Sequence, residues 1–245
     1  YPANTVNDDD IELYTDETRS EVALTWYGLR QQTEKQVIDG VMRPSRCLAD
    51  FVAPLNAINS GAACAEGTGA NGQKYSPIQD YVGAFAVTAG IGVDKRAQAF
   101  EAAHDDYSAI MLKSLADRLA EAFAERLHQR VRTDFWGYAA DESLSNEQLI
   151  AEQYRGIRPA PGYPACPDHS AKRALFAHLQ CGEIGMQLTE GLAKAPAASV
   201  SGFYLGHPQS TYFSVGKIGE DQLADMAQRR GMDEAELRRL LAPNL

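Results

Sequence analysis

The sequence predicts an α+β fold, a twisted and mainly antiparallel sheet flanked by helices. Three observations carry that expectation. Short strand-like segments recur near both ends, at 10–14, 81–88, 199–205 and 212–218. A long central stretch, 94–133, has helical periodicity. Helices and strands are interspersed without strict βαβ alternation. With no internal repeat and no evident linker, residues 1–245 read as one domain.

In chain order, DIELY at 10–14 alternates polar and apolar residues and reads as a strand. Val22, Trp26 and Leu29 fall at helical spacing, which predicts a helix over 17–32. Residues 55–74, rich in Gly, Ala and Asn, read as a long, mobile insertion loop. YVGAFAVT at 81–88 is the clearest strand of the N-terminal half. In 94–133, Leu112, Leu115, Leu119, Phe123, Leu127 and Val131 trace an apolar stripe with Asp117, Glu121 and Glu125 opposite. Ser145 and Gln148 form a capping box for a helix ended by Gly156. A further helix runs over about 169–180. Residues 206–211 join the strands 199–205 and 212–218 as a hairpin. Two short helices close the chain, the second capped by Asp233 and Glu236 and carrying Leu237, Leu240 and Leu241.

Composition narrows the class. At 44% hydrophobic and 23% charged residues the chain is ordinary globular protein, not disorder or a coiled-coil array. A net charge of −10 argues against a nucleic-acid partner, since phosphates repel it. No run approaches 18 apolar residues, so nothing reads as membrane-spanning. Cysteines at 47, 64, 166 and 181 form no Cys-x-x-Cys pair, which fits a reducing, cytoplasmic setting. There is no signal peptide and the first residue is Tyr1, as expected of a fragment or processed chain.

Several motifs read most simply as structure. Gly90-Ile91-Gly92 lacks the third glycine and the downstream acid of a dinucleotide fingerprint, so it reads as a strand-to-helix turn. Cys166-x-x-His169 is half a metal site at most, and a helix start with Asp168 or Ser170 near the N-cap explains it better. Asp8-Asp9-Asp10 and His104-Asp105-Asp106 read as solvated charge. No catalytic triad or P-loop motif is present.

The segment 157–167 (IRPAPGYPACP) is different. Its prolines exclude both a helix interior and a central strand. Arg158 precedes Pro159 and is pushed to an extended conformation. This makes a stiff track with free carbonyls, an arginine at its start, Gly162 for close approach, and the ring of Tyr163 beyond. Such a pre-ordered loop suits ligand recognition, and a rigid connector is the alternative. Asp50, in LADFV, reads as a cap or as a ligand-binding carboxylate. Tyr212 and Phe213 open a strand, with sheet packing as their plain role.

Together, several segments resemble the C-terminal activation domain of cobalamin (vitamin B12)-dependent methionine synthase. They are RPAPGYPACP at 158–167, LADFVAP at 48–54, HDDY at 104–107, LADRLAEAFAER at 115–126, SVSGFY at 199–204, His207-Pro208, the opening YPAN and the closing LAPNL. The resemblance runs over the whole chain in order, and the proline loop is its most specific piece. It implies the α+β fold above and a site for S-adenosylmethionine built from Asp50, Arg158 and its loop with Tyr163, and Tyr212 and Phe213. It also suggests Glu121 near the site, and the connection at 56–79 looks longer than is usual in the family.

The chemistry suits that ligand. Arginine can hold its carboxylate bidentately, aspartate can pair with its ammonium, and aromatic rings suit adenine or sulfonium. By the resemblance, the parent methyltransferase carries cobalamin on another domain and zinc elsewhere, with flavodoxin or a flavoprotein reductase supplying the electron. The role implied here is to position a methyl group for reactivation in methionine biosynthesis, and the isolated fragment would turn over nothing. The other reading is a non-catalytic interaction module that docks a protein through 157–167.

Overall fold

The computed structural model describes residues 1–33, 37–38, 41–42, 44–55 and 78–245. Its strands are β1 (Pro2–Val6), β2 (Asp10–Tyr14), β3 (Val22–Tyr27), β4 (Val37–Ile38), β5 (Val41–Met42), β6 (Asp80–Tyr81), β7 (Gly83–Thr88), β8 (Gln187–Leu188), β9 (Lys194–Ala195) and β10 (Ser199–Tyr204). Its helices are α1 (Val93–Ala102), α2 (Asp106–Arg130), α3 (Asn146–Ile150), α4 (Ala171–His178), α5 (Glu220–Arg230) and α6 (Glu234–Leu241). The chain forms two compact units. The first holds Tyr1–Gly83, Pro159–Ala171 and Gln209–Leu245; the second holds Ala84–Arg158 and Lys172–Pro208. The α+β class stands, with antiparallel pairing of β1 with β2 and β6, of β2 with β3, of β4 with β5 and of β8 with β9.

The first unit is built on an antiparallel sheet ordered β3-β2-β1-β6. Asn7 and Asp8 turn the chain from β1 to β2 with positive φ, which their short polar side chains tolerate. The helix expected over 17–32 is instead strand β3, paired with β2 along its length. Val22, Trp26 and Leu29 fit either period. The β-branched and aromatic content of VALTWY decides, with Leu24 and Trp26 buried two residues apart. Beyond the sheet, Leu223, Met226, Leu237 and Leu241 of α5 and α6 enclose Leu29 and Val215 in an apolar core. Asp233 caps α6 through the Glu236 amide, as expected.

The strand expected over 212–218 is absent, and with it the hairpin to β10. The Val215 amide donates to the Pro164 carbonyl at 2.8 Å and that of Ile218 to Asn244 at 2.8 Å. Those bonds take the place of a ladder. The loop expected over 55–74 lies, apart from Leu55, outside the described residues.

In the second unit β7 pairs with β10, and Phe85 stacks on Tyr204 at 4.6 Å. The continuous helix expected over 94–133 breaks at His104, whose φ is 58°. Asp105 then caps α2 by accepting from the Ser108 amide, and His104 and Asp106 are exposed, so the run is solvated as expected and also starts the helix.

The packing face of α2 is also not the expected one. Ala109, Ala116, Ala120, Ala124 and His128 are buried, while Leu115, Leu119 and Phe123 are exposed. Alanines let the helix backbone approach the β7–β10 pair closely, and the apolar core there includes Val87 and Val200. The capping box of Ser145 and Gln148 forms as expected, but α3 stops at Ile150 and not at Gly156. Gly156, at φ 86°, instead lies so close to the Leu205 carbonyl that a Cβ would sit 2.7 Å from it. Next to it, Ile157 bridges to Leu205.

Just after α2, Arg132 donates twice to the Glu142 carboxylate at 2.8 Å, and both side chains are buried. Glu142→Ala would strand that guanidinium in the interior. Urea denaturation should show a loss of about 3–5 kcal/mol, and a loss under about 1 kcal/mol would mean that the pair is effectively solvated.

Candidate functional site

Asp50 lies in a 3-10 turn, Leu48–Phe51, tied to β1. The Thr5 hydroxyl donates to the Ala49 carbonyl at 2.7 Å, and the Thr5 amide to Ala53 at 3.0 Å. The Asp50 carboxylate accepts from the Cys47 amide at 2.8 Å, which makes it a cap. It also accepts two bonds from Arg30, at 3.0 and 2.8 Å. Arg30 further bonds Asp9 at 2.7 Å. Both Asp8 and Asp50 line a hollow of about 700 Å³ with Arg30, Thr5, Val52 and Pro54. Among the described residues the hollow is lined by Asp8, Asp50 and Arg30, with Asp9 bonded to Arg30, so the local field there favours a cation.

The acidic run beside it is not simply solvated. Asp10 is buried and paired with Arg229. Burial raises its pKa, and Arg229 opposes that shift.

The proline loop is extended only at its start. Residues 159–161 are buried, and the chain then turns. Ala160 accepts from the Tyr163 amide at 3.1 Å, Cys166 from Gly162 at 2.7 Å, and Tyr163 from Cys166 at 2.9 Å. Several carbonyls expected to be free are therefore engaged within the loop or, at Pro164, by Val215. Gly162 has φ 94°, and a Cβ there would lie 2.5 Å from the His169 ring. Tyr163 stands 54% exposed at the tip.

Cys166 and His169 serve the loop separately. The Trp26 indole donates to the Cys166 sulfur at 3.2 Å, and burial pushes that thiol up to about 12. Asp168 accepts from the Ser170 amide and from Arg230 at 2.7 Å, which pins the loop's end to α5. Among the described residues no group of three His, Cys, Asp or Glu side chains could hold a metal.

Phe213 packs on the α5–α6 core and meets Phe51 edge-on at 6.4 Å. Tyr212 is half-buried beside it. The Asp50 turn, the aromatic pair and the Tyr163 loop are thus joined within the first unit, through Phe51–Phe213 and Val215–Pro164.

Arg158 belongs to the second unit. One nitrogen donates to Glu125 at 2.6 Å, the other to Tyr154 at 3.1 Å and to His128 Nδ1 at 3.2 Å. His128 is fully buried and stacks on Tyr204 at 5.1 Å. Burial first, then Arg132 and Arg158, depress its pKa to about 2. The ring is therefore neutral, with Nδ1 accepting from Arg158 and the proton on Nε2, which faces the Tyr138 hydroxyl at 3.4 Å. Glu121 is exposed on α2. It acts electrostatically on Lys194, whose pKa burial lowers and Glu121 raises.

Residues 1–231 match the family described as vitamin B12 dependent methionine synthase, activation domain. The chain belongs to that family. A crystal structure titled as the MetH reactivation domain bound to AdoHcy is similar to this activation domain over 100% of its length. That structure shares 53% identity and a TM-score of 0.85, and 68% of its own chain is covered.

Sequence reading missed the residues that hold the activation domain's candidate side chains in place. Arg30 grips Asp50 from 20 positions away, Glu125 grips Arg158 from 33, and Arg230 grips Asp168 from 62. No spacing rule links such partners. Only a charge at a half-buried position hints at each.

Two outcomes follow for this activation domain. Asp50→Ala removes a cap and a two-bond ion pair, so urea denaturation should show a loss of about 1–2 kcal/mol. Unchanged stability would mean that the turn holds without it. His128 is neutral when folded and takes a proton near pH 6.5 when unfolded, so stability falls as pH drops from about 6.5 towards about 2. Between pH 7 and 5 the native chain should lose about 2 kcal/mol more than His128→Phe. Equal slopes would show that His128 is protonated in the fold.

Proposed function

We propose that this chain binds S-adenosylmethionine and positions its methyl group to reactivate cobalamin-dependent methionine synthase. One observation carries the reading: a 53% identical structure, similar over the whole chain, is titled as bound to AdoHcy. That molecule is what remains of S-adenosylmethionine once its methyl has gone. The hollow beside Asp50 supports it, because its excess of carboxylates suits an ammonium or sulfonium.

In this reading Asp50 takes the ligand's ammonium and Arg158 its carboxylate. Tyr163, Tyr212 and Phe213 offer ring faces for the adenine or the sulfonium. Glu125, Tyr154 and neutral His128 orient the Arg158 fork. Cobalamin is carried by another domain of the parent enzyme, zinc lies elsewhere in that enzyme, and flavodoxin or a flavoprotein reductase is the electron donor. One electron and the methyl group convert cob(II)alamin to methylcobalamin, the S–CH3 bond breaking with its electron pair left on sulfur. This chain contributes position: it holds the sulfonium in line and asks no general acid or base of its side chains. Alone it turns nothing over.

Calorimetric titration with S-adenosylmethionine tests the reading. Arg158→Ala should weaken binding roughly 10–150-fold. Arg158→Lys, which keeps a cation beside Glu125 but loses the fork, should lie between the two. No binding by the native chain would sink the proposal and favour a protein-docking role for 157–167. Unchanged affinity in folded Arg158→Ala would remove Arg158 from the site.

A further inference from the structure

Arg30 lies just past β3, and both of its main-chain polar groups are clamped to α5. Its amide donates to Gln222 Oε1 at 2.6 Å, and its carbonyl accepts from Gln222 Nε2 at 2.9 Å. Gln222 is itself buried. The side chain leaves that clamp with every donor used. An arginine carries five N–H donors in a rigid plane. Nε donates to Asp9 Oδ1 at 2.7 Å. One terminal nitrogen donates to the Ser45 carbonyl at 2.8 Å and to Asp50 Oδ2 at 3.0 Å. The other donates to the Asp8 carbonyl at 3.1 Å and to Asp50 Oδ1 at 2.8 Å.

The acceptor is nearly filled as well. A carboxylate offers about four lone-pair sites. Asp50 Oδ2 accepts from Arg30 and from the Cys47 amide, and Oδ1 accepts from Arg30. Among the described residues that leaves a single acceptor direction, on Oδ1, in a residue that lines the hollow. One direction suits one N–H of a primary ammonium. A guanidinium or an amide that needs two parallel acceptors does not find them there. The torsion that turns an aspartate carboxylate is soft. Without the arginine fork it would present its lone pairs in many directions.

We propose that Arg30 is a positioning residue for the ligand's ammonium, locking the Asp50 carboxylate so that one Oδ1 lone pair receives that group. This rests on the reading in which Asp50 takes the ammonium. Arg30 also repels a second cation, so losing its charge and losing its fork shift affinity in opposite directions. Arg30→Lys separates the two effects, because it keeps the charge and loses the fork.

Calorimetric titration of the 245-residue chain with two probes tests the proposal. S-adenosylhomocysteine carries the ammonium, and 5′-methylthioadenosine has the same adenosine and thioether without it. Arg30→Lys should bind S-adenosylhomocysteine roughly 3–10-fold more weakly than the native chain, as one misaimed hydrogen bond would cost. Its affinity for 5′-methylthioadenosine should hold. An Asp50→Asn background reads the same coupling with S-adenosylhomocysteine alone: there Arg30→Lys should cost nothing further, because the carboxylate it aims is gone. Equal losses for both probes would make Arg30 a structural residue, and no loss for either would leave only its charge. Each of these, or a full further loss in the Asp50→Asn background, overturns the proposal while the ligand reading stands. A native chain that binds neither probe brings down that reading and this inference together. If Arg30→Lys fails to fold, side-chain NMR of the native chain decides. The Arg30 Nε–H signal should move on adding S-adenosylhomocysteine and hold on adding 5′-methylthioadenosine, and equal movement or none overturns the proposal.

Discussion

The pairing of Arg158 with Glu125 inside an aromatic, partly buried setting is the constraint on which the second unit's site residues depend. A guanidinium cannot be taken out of water uncompensated, and Glu125 supplies the opposite charge at 2.6 Å. The same setting forbids a second proton on His128, which lies between Arg132 and Arg158 and must stay neutral to accept from the latter. Tyr154 and Tyr204 wall the imidazole. The direction of the Arg158 fork is therefore fixed within the fold, and under the proposed function that pre-set geometry would let binding energy go into orientation.

A parallel arrangement holds in the first unit. Asp50 is both a cap and half of an ion pair, so its carboxylate is fixed from two directions. Arg30 offsets part of the acidity around it, yet the hollow keeps an excess of carboxylate. The proline loop is anchored at Trp26, Val215 and Arg230, and its tip presents Tyr163. Rigid scaffolding with an exposed ring at the tip is what a loop must offer if it is to hold a ligand without ordering it anew.

Much of this was legible in the sequence, for reasons that differ by residue. DIELY and SVSGFY read correctly as short strands, although neither environment alternates: every residue of β10 is buried, and in β2 only Glu12 is partly exposed. The caps at Ser145 and Asp233 read correctly because capping is local. Val22–Tyr27 misled because a three-point apolar spacing fits two periods. The row on α2 misled because an apolar stripe ordinarily marks the buried face, and here alanines pack inward. Residues 212–218 looked like a strand, but their amides bond to Pro164 and Asn244, which no local pattern encodes. Of the candidate site, the segments that carry the family resemblance were readable. The charges that hold them, Arg30, Glu125 and Arg230, were not, since they come from distant parts of the chain.

A crystal structure of this chain grown with S-adenosylhomocysteine tests the central claim most directly. The account predicts the ligand's carboxylate within hydrogen-bond distance of the Arg158 guanidinium, with Glu125 still bonded to that side chain, and its amino group on Asp50. A ligand bound with its carboxylate away from Arg158, or a site left empty at saturating ligand, would contradict it.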